Sequence, residues 1–288
     1  MKNILVPIDF SLCSTNAVNQ AISIAQKTKA EIFFFHSINS SVDWVNLKSS
    51  VPTKKNNSYT TQLEQFPEIK KQINIAHKKL EELKQIAKKK NISASVEIGF
   101  NKVHSDIISY ATKKKIDLIV MGTTGAGGIK GVLIGSNTAK IIRLSDIPIL
   151  TVGVNNKTET ITNITYVSDF EEESLNKNII EVKNFALNTK VKLNLLYINT
   201  PTFFESTRYS TKKIDTIILK YKLDKNCYTI YNDFTVEEGV CNHLHNNLDS
   251  IIAISTHKRK GFSRILYDNI TELLLGKIQT PLLILPKK

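Results

Sequence analysis

The chain repeats itself, and in a fixed order. Ile4-Leu5-Val6-Pro7-Ile8-Asp9-Phe10 is echoed by Ile164-Thr165-Tyr166-Val167-Ser168-Asp169-Phe170, each followed by a helical pattern. Thr28-Lys29-Ala30-Glu31-Ile32-Phe33 returns as Thr189-Lys190-Val191-Lys192-Leu193-Asn194, Asp117-Leu118-Ile119-Val120 as Asp249-Ser250-Ile251-Ile252, and Pro148-Ile149-Leu150 as Pro281-Leu282-Leu283. An order-preserving repeat is the mark of a duplicated unit. It predicts two tandem modules, residues 1–153 and 160–288, with the seam in the polar stretch between Gly153 and Thr160. The length of 288 residues suits this, being close to twice the roughly 150 of an average domain.

Within the first repeat, short apolar runs alternate with longer amphipathic ones, the pattern of a parallel sheet covered by helices. Strands are expected at 3–8, 31–38, 93–98, 118–121 and 149–152, and helices at 11–27, 68–90, 105–115 and 136–144. Ser11 and Ser136 are expected as N-caps. Residues 39–65 form a polar excursion between the second strand and its helix. The fold class is therefore α/β, with an open five-stranded parallel sheet in each module.

Eight of the eleven glycines lie in the first repeat, and six of those fall between Gly122 and Gly135. The stretch runs Gly122-Thr123-Thr124-Gly125, nine more residues to Gly135, then Ser136-Asn137-Thr138, joining the fourth strand to the last helix. Glycines let backbone N–H groups approach an anion closely, and a helix start adds free N–H groups and a positive dipole end. For any one of these glycines a plain surface turn is the alternative, but six beside a helix start point to a phosphate. There is no Gly-x4-Gly-Lys-Ser/Thr, and Gly125-Ala126-Gly127 neither continues as Gly-x-Gly-x-x-Gly nor follows the first strand. Neither a P-loop nor a dinucleotide fingerprint is present.

The pattern Gly-x2-Gly-x9-Gly-Ser, preceded by Asp-Leu-Ile-Val-Met and followed by Asn-Thr-x-x-Ile-Ile and a Pro-Ile-Leu strand, resembles that of the universal stress protein family. The opening Ile-Leu-Val-Pro-Ile-Asp-Phe-Ser is similar to that family's first strand. The resemblance implies a Rossmann-like module of the adenine nucleotide alpha hydrolase type that binds ATP, with Mg2+ as a companion ion. It assigns Gly122, Gly125, Gly135 and Ser136 to the phosphates, and places Thr124 and Asn137 in the same nucleotide site. Pro7, Ile8 and Asp9 would lie beside adenine and ribose, Ser37 by the adenine, and Met121 near sugar or base. Asp9 has a second reading, as an acid that favours the start of the following helix. Modules of this kind pair through their last strands, so the resemblance also implies an internal pseudo-dimer with Pro148 to Val152 against Pro281 to Pro286. A homodimer of whole chains stays open beside it.

Aligning the repeats puts Ser255 at the position of Gly122, Lys258 at Gly125, Asp268 at Gly135, Asn269 at Ser136 and Val167 at Pro7. A carboxylate then stands where phosphate oxygens would sit, so one nucleotide site per chain is expected, in the first module. The second module is left to a structural or regulatory role.

Other function classes are weaker. Charge is uneven: 21 Lys and Arg stand against 11 Asp and Glu up to Val152, a surplus of ten, while the remainder carries a surplus of three out of the total of +13. A basic surface binding an acidic protein or nucleic acid is the alternative function. Its lysines, however, lie on amphipathic helices without the interleaved aromatics of a nucleic-acid groove, so nucleic acid is not expected. No nucleophile, base and oxyanion set appears, so catalysis beyond slow ATP hydrolysis is not expected, and an adenylating enzyme would need a phosphate loop where Asp9-Phe10-Ser11 stands. His243 and His245 alternate on a helix, the wrong spacing for a metal pair. Three cysteines without metal spacing and no apolar run near the roughly 18 residues of a membrane span predict a cytoplasmic protein.

Overall fold

A computed structural model describes residues 1–38, 67–100, 102–124, 134–156, 161–245, 250–255 and 264–286, with the backbone alone described for 172–176, 250, 264–269 and 272. The excursion expected at 39–65 lies outside the described residues. The N-terminal half contributes strands β1 (Asn3–Pro7), β2 (Glu31–Ser37), β3 (Ala94–Gly99), β4 (Leu118–Gly122) and β5 (Ile149–Val152). Its helices are α1 (Leu12–Thr28), α2 (Pro67–Lys89), α3 (Val103–Lys113) and α4 (Ser136–Leu144). The C-terminal half repeats the series with β6 (Asn163–Val167), α5 (Glu172–Thr189), β7 (Lys192–Asn199), α6 (Thr207–Tyr221), β8 (Tyr228–Asn232), α7 (Val236–Leu244), β9 (Ser250–Ser255), α8 (Arg264–Lys277) and β10 (Leu282–Leu285).

All ten strands form one sheet in the order β3-β2-β1-β4-β5-β10-β9-β6-β7-β8. Each half is thus an open parallel sheet with the same internal order, and the two meet back to back. The joint is antiparallel, with Thr151 opposite Leu282, Leu150 opposite Leu283 and Ile149 opposite Ile284. The hydroxyl of Thr151, 1 % exposed, donates to the Leu282 carbonyl at 3.1 Å. Pairing β5 with β10 removes two strand edges that would otherwise present unpaired backbone groups.

Local sequence explains the elements. Strands β1, β4 and β5 are buried on both faces, hence their continuous apolar runs rather than alternation. Helix α1 starts at Ser11, whose side chain accepts from the Ser14 N–H, and ends where Lys29 turns left-handed at φ 57°. Its small residues Ala17, Ala21 and Ala25 let it lie close to the sheet. Helix α2 buries only Ala76, Leu80 and Ala87, leaving most of its lysines in water.

On one face of the sheet a single core runs through both halves, from Ala17 and Leu80 to Ile179 and Ile214. On the other face there are two cores, one under α3 and α4 and one under α7 and α8, with Ile142 packed against both. The Lys27 ammonium donates to the Ile161 carbonyl at 2.9 Å and the Asn16 amide to the Gly153 carbonyl at 3.0 Å, both fastening the connecting segment to α1. No helix among the described residues is long and apolar enough to cross a membrane.

Candidate functional site

Strand order reverses between β1 and β4, since β1 is followed outward by β2 and β4 by β5. The crevice beyond the carboxyl ends of strands at such a point is where open α/β sheets hold ligands. Met121 lies in the core under α3 and α4, together with Leu5 and Phe35. Side-chain alternation carries Pro7 and Ser37 to that same face. Ile8 points the other way, into the core with Val6 and α1, and its N–H donates to the Phe35 carbonyl at 2.7 Å. Its own carbonyl lies 2.7 Å from His36 Nδ1. Ile8 therefore contributes backbone and core packing at the end of β1.

Asp9 uses a carboxylate oxygen to receive the Ser11 N–H at 3.0 Å, around a Phe10 held at φ 62°. The second half does the same, with the Glu171 N–H meeting Asp169 at 3.2 Å around Phe170 at φ 58°. The repeated Asp-Phe pair is thus a turn that launches a helix, which is close to the second of the readings weighed for Asp9.

The start of α4 is fastened to the end of β4. Gly135 is the N-cap, at φ −69°, and its N–H donates to the Thr123 carbonyl at 2.8 Å. The Thr138 hydroxyl donates to the Gly122 carbonyl at 3.1 Å. Ser136, expected as the cap, is instead the first helical residue, because the Gly135 carbonyl already accepts the first helical bond, from the Ala139 N–H at 2.9 Å. Ser136 and Asn137 are exposed, and the first turn holds no acidic side chain. Thr124 turns toward α1, its hydroxyl 3.2 Å from the Cys13 sulfur. Gly125 lies outside the described residues.

The structure therefore gathers Pro7, Met121, Gly122, Gly135, Ser136 and Asn137 around the switch point, with Ser37 two strands along. Sequence reasoning missed Asp106, in the first turn of α3 and 9 % exposed, which receives the Ser37 hydroxyl at 3.0 Å. It also missed Cys13 and Thr138. Gly99 was the available signal for Asp106, since a Cβ there would stand 2.6 Å from Asp106 Oδ2.

At the matching edge of the second half the chemistry differs. Val167 and Ser255 end β6 and β9, and they line a cavity of about 60 Å³ together with Ser168, Ile254, Thr271 and Leu274. The fully buried Tyr166 hydroxyl stands near Ser255, Ser168 and Asn178 without hydrogen-bond geometry to any of them, and burial pushes its pKa up. Helix α8 is already helical at Arg264, so Asp268 and Asn269 fall in its second turn, whereas Gly135 caps α4. Lys258 lies outside the described residues. Glu171 occupies the N-cap of α5 without a side-chain capping bond and pairs with Lys213 at 3.4 Å. Among the described residues no group of three or more His, Cys, Asp and Glu is placed to hold a metal ion.

Known proteins place this architecture. Over its full length the chain is similar in fold to a universal stress protein of Archaeoglobus fulgidus, with a TM-score of 0.69 and 12% identity, covering 99% of this chain and 98% of that one. A functionally unknown protein of Pseudomonas aeruginosa gives a TM-score of 0.67 at 17% identity, covering 99% and 92%. In sequence, a universal stress protein of Methanocaldococcus jannaschii is 30% identical over 151 residues, 52% of this chain and 81% of that protein. The universal stress protein YxiE of Bacillus subtilis is 29% identical over 153 residues, 52% and 98%. The family model described as the universal stress protein family matches residues 1–153. With more than half its length so matched, the chain belongs to the universal stress protein family.

Proposed function

We propose that residues 1–153 form a module that binds one ATP, and that residues 160–288 form a second module without a nucleotide site. The observation that carries this reading is the start of α4. A nine-residue helix begins at the sheet's switch point, tied to β4 by Gly135 and Thr138, with exposed Ser136 and Asn137 and no acid in its first turn. Its first N–H groups have no partners within the helix, and the dipole favours an anion there. Gly122 and Gly135 keep side chains off this edge, and the N-terminal half carries most of the positive charge. Asp9, with a carboxylate at the end of β1, lies on the path from phosphate to base.

ATP bound here acts as an occupancy signal in a cytoplasmic stress-response protein, changing how the module meets its partners. Slow turnover at most is expected, because phosphoryl transfer needs an organised metal and a placed nucleophile. The fit of ATP is that of an anion at a helix start; Mg2+ would come with the nucleotide's phosphates, and Asp9 is the carboxylate just beyond the end of β1.

Calorimetric titration with ATP is the test. One site per chain is expected, and Ser136→Asp, which sets a carboxylate in the anion's place, should abolish binding while leaving the far-ultraviolet circular dichroism unchanged. Unaltered affinity in that variant, or two equivalent sites per chain, would overturn the reading.

A further inference from the structure

Strand order reverses in the second half as it does in the first, here between β6 and β9, whose outer neighbours are β7 and β10. A ligand crevice is therefore expected beyond the carboxyl ends of this pair as well, and the cavity of about 60 Å³ lies there. The pairing registers say what has become of its lining. Pro7 faces Phe35 in the first half and Val167 faces Leu196 in the second, so Ile198 holds the position of Ser37. Likewise Ile4 faces Leu118 and Ile164 faces Ile251, which sets Ile254 at the position of Met121 and Ser255 at that of Gly122.

The crevice has kept its place and changed its chemistry. Val167, Ile198 and Ile254 line it from the sheet, and Val236, Ile270 and Leu274 from α7 and α8. Among the described residues no lysine or arginine lines it, whereas the Asp169 carboxylate does. An anion here would meet a like charge with no counter-charge, in an apolar surround that strengthens the repulsion. A cation fares little better, because Asp169 already receives the Glu171 N–H at 3.2 Å and the apolar side chains cannot replace the water that a charged group gives up. The lining selects an uncharged molecule.

One side of the cavity is polar. Ser168 and Ser255 bring hydroxyls to it at the strand ends. Ser168 Oγ accepts the Phe170 N–H at 3.1 Å, which uses a lone pair and keeps the proton. Behind both serines stands the Tyr166 hydroxyl, fully buried and without a hydrogen-bond partner among the described residues. Buried polar groups are as a rule satisfied, so an unmet one beside a cavity marks where a further polar atom belongs. Size limits the rest: an apolar cavity of about 150 Å³ takes up benzene, so this one accommodates about three heavy atoms, too few for a base or a sugar.

We propose that the switch-point crevice of the second module binds a small uncharged alcohol. Its alkyl group lies among Val167, Ile198, Ile254 and Leu274, and its oxygen meets Ser168 and Ser255. The inference goes beyond the nucleotide reading of the first module and does not depend on it.

The test titrates the full chain, isotope-labelled at its isoleucine methyl groups, with three probes that share a propyl body: n-propanol, propionate and propylammonium. With n-propanol the methyl signals of Ile198, Ile254 and Ile270 are expected to shift saturably, while that of Ile119, in the core of the first half, stays in place. Propionate and propylammonium should bind at least about tenfold more weakly. Ser255→Ala, at a half-buried position that leaves the fold intact, should weaken n-propanol by about fivefold. Shifts that never saturate, equal affinity for a charged probe, or unchanged affinity in Ser255→Ala would overturn the proposal. Displacement of n-propanol by ATP would overturn it as well, by showing that the crevice is a nucleotide site.

Discussion

A β-carbon at Gly122 would stand 2.7 Å from the Cβ of Cys13, and 3.0 Å from the Cys13 backbone carbon. The first turn of α1 thus lies directly on the end of β4, and what it meets there is backbone, which cannot swing aside. Gly122 serves packing as well as any anion. Gly122→Ala is expected to lower stability by about 1–3 kcal/mol, the cost of overpacking, in urea denaturation without nucleotide. A variant as stable as the wild type would assign Gly122 to ligand binding alone.

Asp9 and Asp169 make the same turn, but only Asp9 faces the proposed nucleotide. Replacing either by Ala should cost about 1 kcal/mol through loss of the bond to the N–H two residues on. The cost should be smaller at Asp169, whose bond is longer and exposed. Affinity for ATP should fall in Asp9→Ala and stay unchanged in Asp169→Ala. Parallel melting and titration of the two variants separate the structural share of this carboxylate from its ligand share.

Much of this was legible in the sequence, for identifiable reasons. Apolar runs buried on both faces and the Ser11 cap located β1, β4, β5 and α1 to within a residue or so, and the span 136–144 of the last helix matched. Position Ser255 at the end of β9 followed from the same registration of the repeats. What failed was long-range. The Ser37–Asp106 bond spans 69 residues, and no local pattern links a strand's last residue to a helix's first turn; only an isolated glycine at 99 hinted at a close approach. The cap of α4 falls at Gly135, whose carbonyl accepts the first helical bond while its N–H is held by Thr123 from the end of β4. In the second half, the displacement of Asp268 into a helix turn could not be seen by aligning repeats whose loops differ.

High pH should ionise a half-buried phenol. Tyr110 packs against Phe33 and Phe35, its ring centroid 4.8 Å from that of Phe35, and burial raises its pKa to about 12, with Glu97 and Glu31 adding to the shift. The folded state thus holds this proton more tightly than the unfolded chain, whose tyrosines titrate near 10. Stability from this source is complete below pH 10 and is lost as pH rises from about 10 to 12. Tyr110→Phe removes a group that ionises more readily when unfolded, so its alkaline unfolding midpoint should move upward. A midpoint equal to or below that of the wild type would contradict the assignment.

Lys213, on α6, gathers two carboxylates of the second half. Its ammonium lies 2.9 Å from both oxygens of Glu205 and 3.4 Å from Glu171, and 4.8 Å from the centre of the Tyr197 ring. The side chains of Lys213 and Glu205 are only 13% and 20% exposed. Such a pair contributes little over an apolar replacement, but losing one partner leaves the other charge poorly solvated. Lys213→Met should therefore cost about 1–3 kcal/mol, discounted from a fully buried pair for partial exposure. Adding Glu205→Gln should recover part of that loss. A double-mutant cycle by urea denaturation reads the coupling directly; additive losses would mean that the two charges are independent. Because Glu171 opens α5 and Glu205 precedes α6, the cluster also ties these helices together across the end of β7.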